Sequence, residues 1–313
     1  MTKGDSWINA RPEGLCLALL ASMLTSVLAS VLATCAAAAP AADQFFDSDG
    51  VTIRYVDQGP RDGEPLLLIH GFAANIEFQW GPILPTLTKE RRVVAFDCRG
   101  HGKSDKPRHA EAYGLNMVKD AERLLAHLKI EQADVLGYSM GAGLAGRFAM
   151  LYPQRTRSLV MGGAGLMPDA AFTAVFTELA TTLEKQGSMA PLVRALTPPG
   201  APQPSNFQVR SADMVMMGMN DSRALAAMVR GFLPMLAADA KEPPEHWRQI
   251  TAPTLAIVGG ADPLAPSVRR SVAMLPDAKL VVIPQADHVT AVLAPQFVKS
   301  VDEFLDAVPA ATP

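Results

Sequence analysis

The sequence predicts an α/β fold, a mostly parallel central sheet flanked by helices, with a helical cap inserted into it. Three observations predict this. Apolar runs of strand length alternate with helical patterns along the chain, the signature of βα units forming a parallel sheet. The middle runs are apolar throughout, as strands covered on both faces are. The alternation then lapses between about Gly163 and Ile250, and strand patterns return at Thr254.

Taken in order, the first 42 residues differ in kind from the rest. Lys3 and Arg11 precede an uncharged stretch from Leu15 to Ala33, and small residues follow in Thr34-Cys35-Ala36-Ala37-Ala38-Ala39-Pro40. Positive start, apolar middle and small-residue exit read as a secretory signal, with cleavage expected between Ala36 and Ala42. Two alternatives stay open. Leu32-Ala33-Thr34-Cys35 is close to a bacterial lipoprotein box, though threonine before the cysteine fits poorly. The apolar run is also nearly long enough to anchor in a bilayer core of roughly 30 Å. Every version expects an exported protein, periplasmic or secreted, that meets a membrane only through this segment if it is uncleaved or lipidated at Cys35.

The expected core comprises residues 43–162 and 251–313, with 163–250 as the cap insertion. Strands are expected at Val51–Asp57, Leu66–Ile69, Val93–Phe96, Asp134–Leu136, Ser158–Met161, Thr254–Val258 and Leu280–Ile283. Leu115, Val118, Ala121, Leu124, Leu125 and Leu128 recur in threes and fours, so Leu115–Ile130 reads as an amphipathic helix on the sheet. Gly141–Leu151 reads as a helix that Pro153 ends, and Thr290–Val308 as a C-terminal helix. Within the insertion, Thr197-Pro198-Pro199-Gly200-Ala201-Pro202 reads as a linker. Met214, Met216, Met217 and Met219 cluster as ordinary cap core or as the lining of an adaptable apolar pocket.

Composition limits the partners. Hydrophobic residues are 49 % and charged residues 19 %, enough apolar surface for a large core. The net charge of −3 comes with no basic run, which argues against nucleic acid. Past the signal, Cys98 stands alone, so no internal disulfide is expected and the thiol reads as a buried small apolar group.

The pattern most specific for chemistry is Gly137-Tyr138-Ser139-Met140-Gly141, between an apolar run and a helix. A serine with glycine at both second neighbours, at a strand-to-helix junction, suits the sharp turn called a nucleophile elbow. A serine hydroxyl needs an adjacent general base, and imidazole, with a pKa of about 6.5, can accept and return the proton. His70, His101, His109, His127, His246 and His288 are present. His288 follows the strand Leu280–Ile283 across Pro284-Gln285-Ala286-Asp287, at the sheet edge where open α/β sheets place ligands. It is the expected base; His109 and His127 read as surface residues.

The base needs an acid to hold its tautomer. Asp262, in Val258-Gly259-Gly260-Ala261-Asp262-Pro263, stands just past the preceding strand and is the expected one. Asp169, after the strand Ser158–Met161, and Asp287, beside the histidine, are its rivals. The oxyanion needs two preorganised donors. One is the N–H of Met140 at the helix start, and the other the N–H of Phe72 in His70-Gly71-Phe72-Ala73, a loop that His70 would orient. Asp97-Cys98-Arg99-Gly100-His101-Gly102-Lys103-Ser104 lacks phosphate-loop spacing. It reads as a turn braced by Asp97 and Arg99, with His101 partly exposed.

From Val51 to the C-terminus these pieces resemble the α/β-hydrolase superfamily, which carries its marks in this order: the His70-Gly71-Phe72 loop, the Asp97–Ser104 turn, the elbow, the acid and the histidine. By that resemblance Ser139 is the nucleophile, Asp262 the acid, His288 the base, Phe72 and Met140 the oxyanion donors, and the insertion a helical lid. Asp287 replaces the glycine common before the histidine, and the His-Gly-Phe-Ala loop is not the glycine run of one lipase and esterase group. Serine at the elbow argues against the dehalogenase and epoxide-hydrolase branches, which carry aspartate there.

The expectation is an exported, esterase-like serine hydrolase that opens carboxylic esters with a mostly apolar acyl group, with no metal or organic cofactor implied. The same groups would serve a lactonase, a thioester or amide hydrolase, a carbon–carbon bond hydrolase, an acyltransferase or a perhydrolase. A binding protein without turnover is the alternative from another class.

Overall fold

The computed structural model describes residues 42–166, 170–239, 241 and 244–309. The segment read as an export signal, Cys35 included, and the rival acid Asp169 lie outside the described residues. Among the described residues no helix is long and apolar enough to cross a membrane.

Eight strands form one sheet: β1 (Gln44–Asp47), β2 (Thr52–Gln58), β3 (Pro65–Ile69), β4 (Arg92–Phe96), β5 (Ala133–Tyr138), β6 (Thr156–Gly162), β7 (Thr254–Gly259) and β8 (Ala278–Ile283). Their spatial order is β1-β2-β4-β3-β5-β6-β7-β8, with the β1–β2 and β2–β4 pairs antiparallel and the other five pairs parallel. The short edge strand β1 was not among the expected elements. Gln-Phe-Phe-Asp has no alternation of its own and gains strand geometry from its ladder with β2.

Strand alternation divides the core into two layers. Leu67 and Ile69 of β3 face one layer with Val118, Ala121 and Leu125 of helix α1 (Leu115–His127) and Leu144 and Phe148 of α2 (Met140–Leu151). Leu66 and Leu68 face the other with Trp80 and with Phe297, Val301 and Leu305 of the C-terminal helix. The central strands are buried on both faces, which explains their unbroken apolar runs.

The segment from β6 to β7 holds α3 (Ala170–Gln186), α4 (Ala190–Ala195), α5 (Asn206–Met219), α6 (Ser222–Asp239) and the single turn Pro244–Trp247. Ser205 caps α5 with a full capping box to Gln208. After β7 comes α7 (Ala265–Met274), and after β8 a 3₁₀ turn, Ala291–Leu293, then α8 (Pro295–Ala307). The expected helix from Thr290 is thus divided, because Pro295 sits at the first turn of α8 and cannot continue a helix from before it.

Candidate active site

Parallel registry brings the candidate site residues to one edge. Ile69 pairs with Gly137, Tyr138 with Gly162, and Gly259 with Ile283. The loops that carry His70–Ala73, Ser139, Asp262 and His288 therefore all leave the carboxyl edge of the sheet.

Ser139 stands alone between β5 and α2 with φ 55° and ψ −117°, a conformation costly for a side-chain-bearing residue. Its N–H donates to Gly162 O at 2.7 Å, which helps to hold that conformation. The flanking glycines are sterically required. A Cβ on Gly137 would lie 1.9 Å from Gly141 O, and one on Gly141 2.0 Å from Ile69 O.

His288 Nε2 lies 2.9 Å from Ser139 Oγ, and His288 Nδ1 lies 2.8 Å from Asp262 Oδ2. With Asp262 as carboxylate, Nδ1 carries the proton and donates, leaving the Nε2 lone pair toward the serine hydroxyl. Asp262 is buried and its Oδ1 accepts from Leu264 N–H at 2.8 Å, which fixes the carboxylate plane. Asp287 turns elsewhere: its Oδ1 accepts from the Val289 and Thr290 N–H groups and the Thr290 hydroxyl. Its position beside the histidine therefore serves the turn.

Sequence reasoning missed Tyr138. Its hydroxyl donates to His288 O at 2.7 Å, across 150 residues of chain. A Cβ on Gly162 would come 2.5 Å from the Tyr138 ring, so the glycines ending β6 make room for it. Nothing local in Gly-Tyr-Ser marks this contact.

The loop after β3 is aimed by hydrogen bonds. Cys98 N–H donates to His70 Nε2 at 2.9 Å, so the His70 proton sits on Nδ1 and is donated to Gly71 O at 2.7 Å. Ala74 N–H also donates to Gly71 O, closing a turn whose third residue, Ala73, has φ 56°. The carbonyl and N–H of a trans peptide point in opposite directions. Holding Gly71 O on one side therefore aims the Phe72 N–H to the other. A Cβ on Gly71 would sit 3.3 Å from Ser139 Cβ, which shows how closely this loop approaches the serine. Among the described residues, neither the Phe72 nor the Met140 N–H donates to a protein acceptor.

His101 corrects the expectation of partial exposure. It is fully buried, packed edge-on against His70 and Phe72, with Nδ1 3.1 Å from Arg99 O. Asp97 and Arg99 fold the turn over it: Asp97 accepts from the Ile76 and Lys103 N–H groups, and Arg99 makes a two-pronged pair with Asp120 at 2.6 Å. Burial holds both imidazoles below their ordinary range, His101 down to about 3. Burial also raises the Cys98 thiol, which stays protonated and inert.

Phe72, Ser139 and Met140 line one cavity of about 60 Å³, walled further by Phe172, Phe176 and Met235 from the inserted helices. Among the described residues its lining carries no charged side chain. Met214, Met216, Met217 and Met219 do not line it, and Met214 faces outward, 78 % exposed. Of the two readings of this cluster, the pocket wall is not met: Met216 and Met217 pack against the core as cap residues do, and α5 presents Met214 to solvent.

Known proteins share this fold. Residues 64–295 match the family model described as alpha/beta hydrolase fold. A provisionally named 2-succinyl-6-hydroxy-2,4-cyclohexadiene-1-carboxylate synthase from Bacillus subtilis (strain 168) is 28 % identical over 288 residues, 83 % of this chain and 97 % of that one. A poly(3-hydroxyalkanoate) depolymerase from Ectopseudomonas oleovorans is 29 % identical over 236 residues, 70 % of this chain and 76 % of that one. The crystal structure of a hydrolase from Pseudomonas aeruginosa PA01 superposes with a TM-score of 0.71 at 25 % identity, over 86 % of this chain and all of that one. With the sheet order, the serine turn and the family match in agreement, the chain belongs to the alpha/beta hydrolase fold family and is a hydrolase.

Proposed function

We propose that this hydrolase is an exported serine esterase that opens carboxylic esters through an acyl-enzyme on Ser139. The observation that carries the reading is the run of two hydrogen-bond distances, 2.9 Å from Ser139 Oγ to His288 Nε2 and 2.8 Å from His288 Nδ1 to Asp262 Oδ2.

Ser139 Oγ attacks the ester carbonyl while His288 Nε2 takes its proton. The carbonyl oxygen becomes an oxyanion facing the Phe72 and Met140 N–H groups, which are free to receive it. Collapse expels the alkoxide, which leaves as an alcohol with the proton from Nε2. Water then attacks the acyl-enzyme, His288 takes the water proton and returns it to Ser139, and the carboxylic acid departs. Asp262 stays ionised and steadies the imidazolium in both halves.

An uncharged, mostly apolar acyl group fits the lining, since a buried anion without a partner is costly. The named relatives range from a synthase to a depolymerase, so the choice of ester rests on the lining alone.

The test is a fluorophosphonate probe followed by p-nitrophenyl esters of graded chain length. A stoichiometric adduct on Ser139 and a defined chain-length optimum are expected. Folded protein with no adduct would refute the enzyme reading, and an adduct without ester turnover would move the substrate elsewhere. Export rests on the Lys3–Pro40 pattern. It predicts a mature N-terminus between residues 37 and 43 in the exported fraction, checked by N-terminal sequencing.

A further inference from the structure

We infer that Asn220, at the end of α5 in the inserted segment, is a positioning residue that aims the oxyanion-binding N–H of Phe72. The inference rests on the esterase reading and adds a link between the inserted helices and the reacting centre.

Asn220 is the C-cap of α5. Its Nδ2 donates to Ala73 O at 2.8 Å and to Met216 O at 2.9 Å. Both partners are carbonyl oxygens, so the atom facing them must be the amide nitrogen. The Oδ1 of the same amide is buried without a partner, a cost that sets the residue apart from an ordinary helix cap. A second contact reinforces the join: Asn75 Nδ2 approaches Met219 Sδ at 3.8 Å.

The consequence follows from two peptide planes. Ala73 O and Ala74 N–H belong to one rigid peptide and point opposite ways. With Ala73 O fixed by Asn220, the Ala74 N–H is directed at Gly71 O, where it donates. Gly71 O and Phe72 N–H belong to the second peptide, so a fixed Gly71 O sets the direction of the Phe72 N–H. Ala73, at φ 56°, lies between the two planes in a conformation that a non-glycine residue leaves readily unless held. His70 holds Gly71 O from the core side and Asn220 holds the turn from the inserted side. The oxyanion donor is therefore fully aimed only when α5 is seated.

Asn220→Ala removes the donor, and Asn220→Asp keeps the shape while setting an oxygen against Ala73 O. Each is compared with wild type for the rate of Ser139 phosphonylation, for kcat and KM on a reactive ester, and for affinity toward two ligands. One is a trifluoromethyl ketone, whose adduct oxygen occupies the oxyanion position; the other is the product carboxylic acid. Losing an oxyanion donor outright costs about 10²–10³ in kcat, so a misaimed one is expected to cost about 10- to 100-fold. Phosphonylation and ketone affinity should fall by a similar factor, while KM, product affinity and the pH profile hold.

Equal losses in KM and product affinity would mean a general structural role and overturn the inference, as would variants phosphonylated at the wild-type rate. If the alanine variant melts below the assay temperature, the aspartate variant carries the comparison. Wild type that takes no phosphonate at Ser139 would instead defeat the esterase reading itself.

Discussion

Asp262 illustrates what a single residue is asked to do. One carboxylate oxygen holds the His288 proton and the other is held by Leu264 N–H, so the imidazole is offered one tautomer in one plane. Asp262→Asn can present an N–H to Nδ1 and favour the wrong tautomer, so kcat is expected to fall by about 10³–10⁴ with KM little changed, read from steady-state ester kinetics. His101 gives a prediction about stability. Its folded pKa of about 3 lies below the ordinary 6.5 because burial disfavours the cation. The unfolded chain takes up that proton below about pH 6.5 while the folded chain refuses it until about pH 3. The contribution to stability is thus full above 6.5 and is lost as pH falls through this window, by about 1.4 kcal/mol per unit. Urea unfolding at pH 7, 6 and 5 should show stability falling at least this steeply, and His101→Asn should lessen the slope, His70 keeping its own share. The burial of His101 was not legible in the sequence, because glycines and charges surround it there and only the folded turn closes over the ring.

Among the elements, the elbow is the least tolerant. Gly137 and Gly141 meet backbone oxygens where a Cβ would stand, and backbone cannot yield as a side-chain tip can. Gly137→Ala is therefore expected to destabilise the fold by about 2–3 kcal/mol or more, measured by thermal or urea unfolding, whereas Gly143→Ala, with open space at its Cβ, should be neutral or stabilising. These requirements explain why the site was legible. The elbow and the loops of Asp262 and His288 are announced by strand ends and glycines that lie next to the reactive residues in sequence. Contacts made across long stretches of chain carry no such sign. Tyr138 to His288 spans 150 residues and Asn220 to Ala73 spans 147, and neither residue type marks its partner. The edge strand β1 escaped for the related reason that its partner makes it a strand.

At the scale of the whole molecule, the sheet supplies the chemistry and the inserted helices supply the enclosure. The cavity of about 60 Å³ at Ser139 is walled on one side by Phe172, Phe176 and Met235 of those helices, so they bound the space left for an acyl group. Opening the wall at Phe172→Ala is expected to shift the preferred p-nitrophenyl ester toward longer acyl chains, read as the ratio of kcat/KM for long and short substrates. The Tyr138 hydroxyl bond to His288 O has a mechanical consequence. Tyr138, next to Ser139, holds the main chain of His288, so the two hydrogen-bonded groups share one support. Warming should leave their separation intact until the support itself fails. In wild type, the midpoints of heat inactivation and of unfolding should coincide; in Tyr138→Phe, activity should fade several degrees before the fold does.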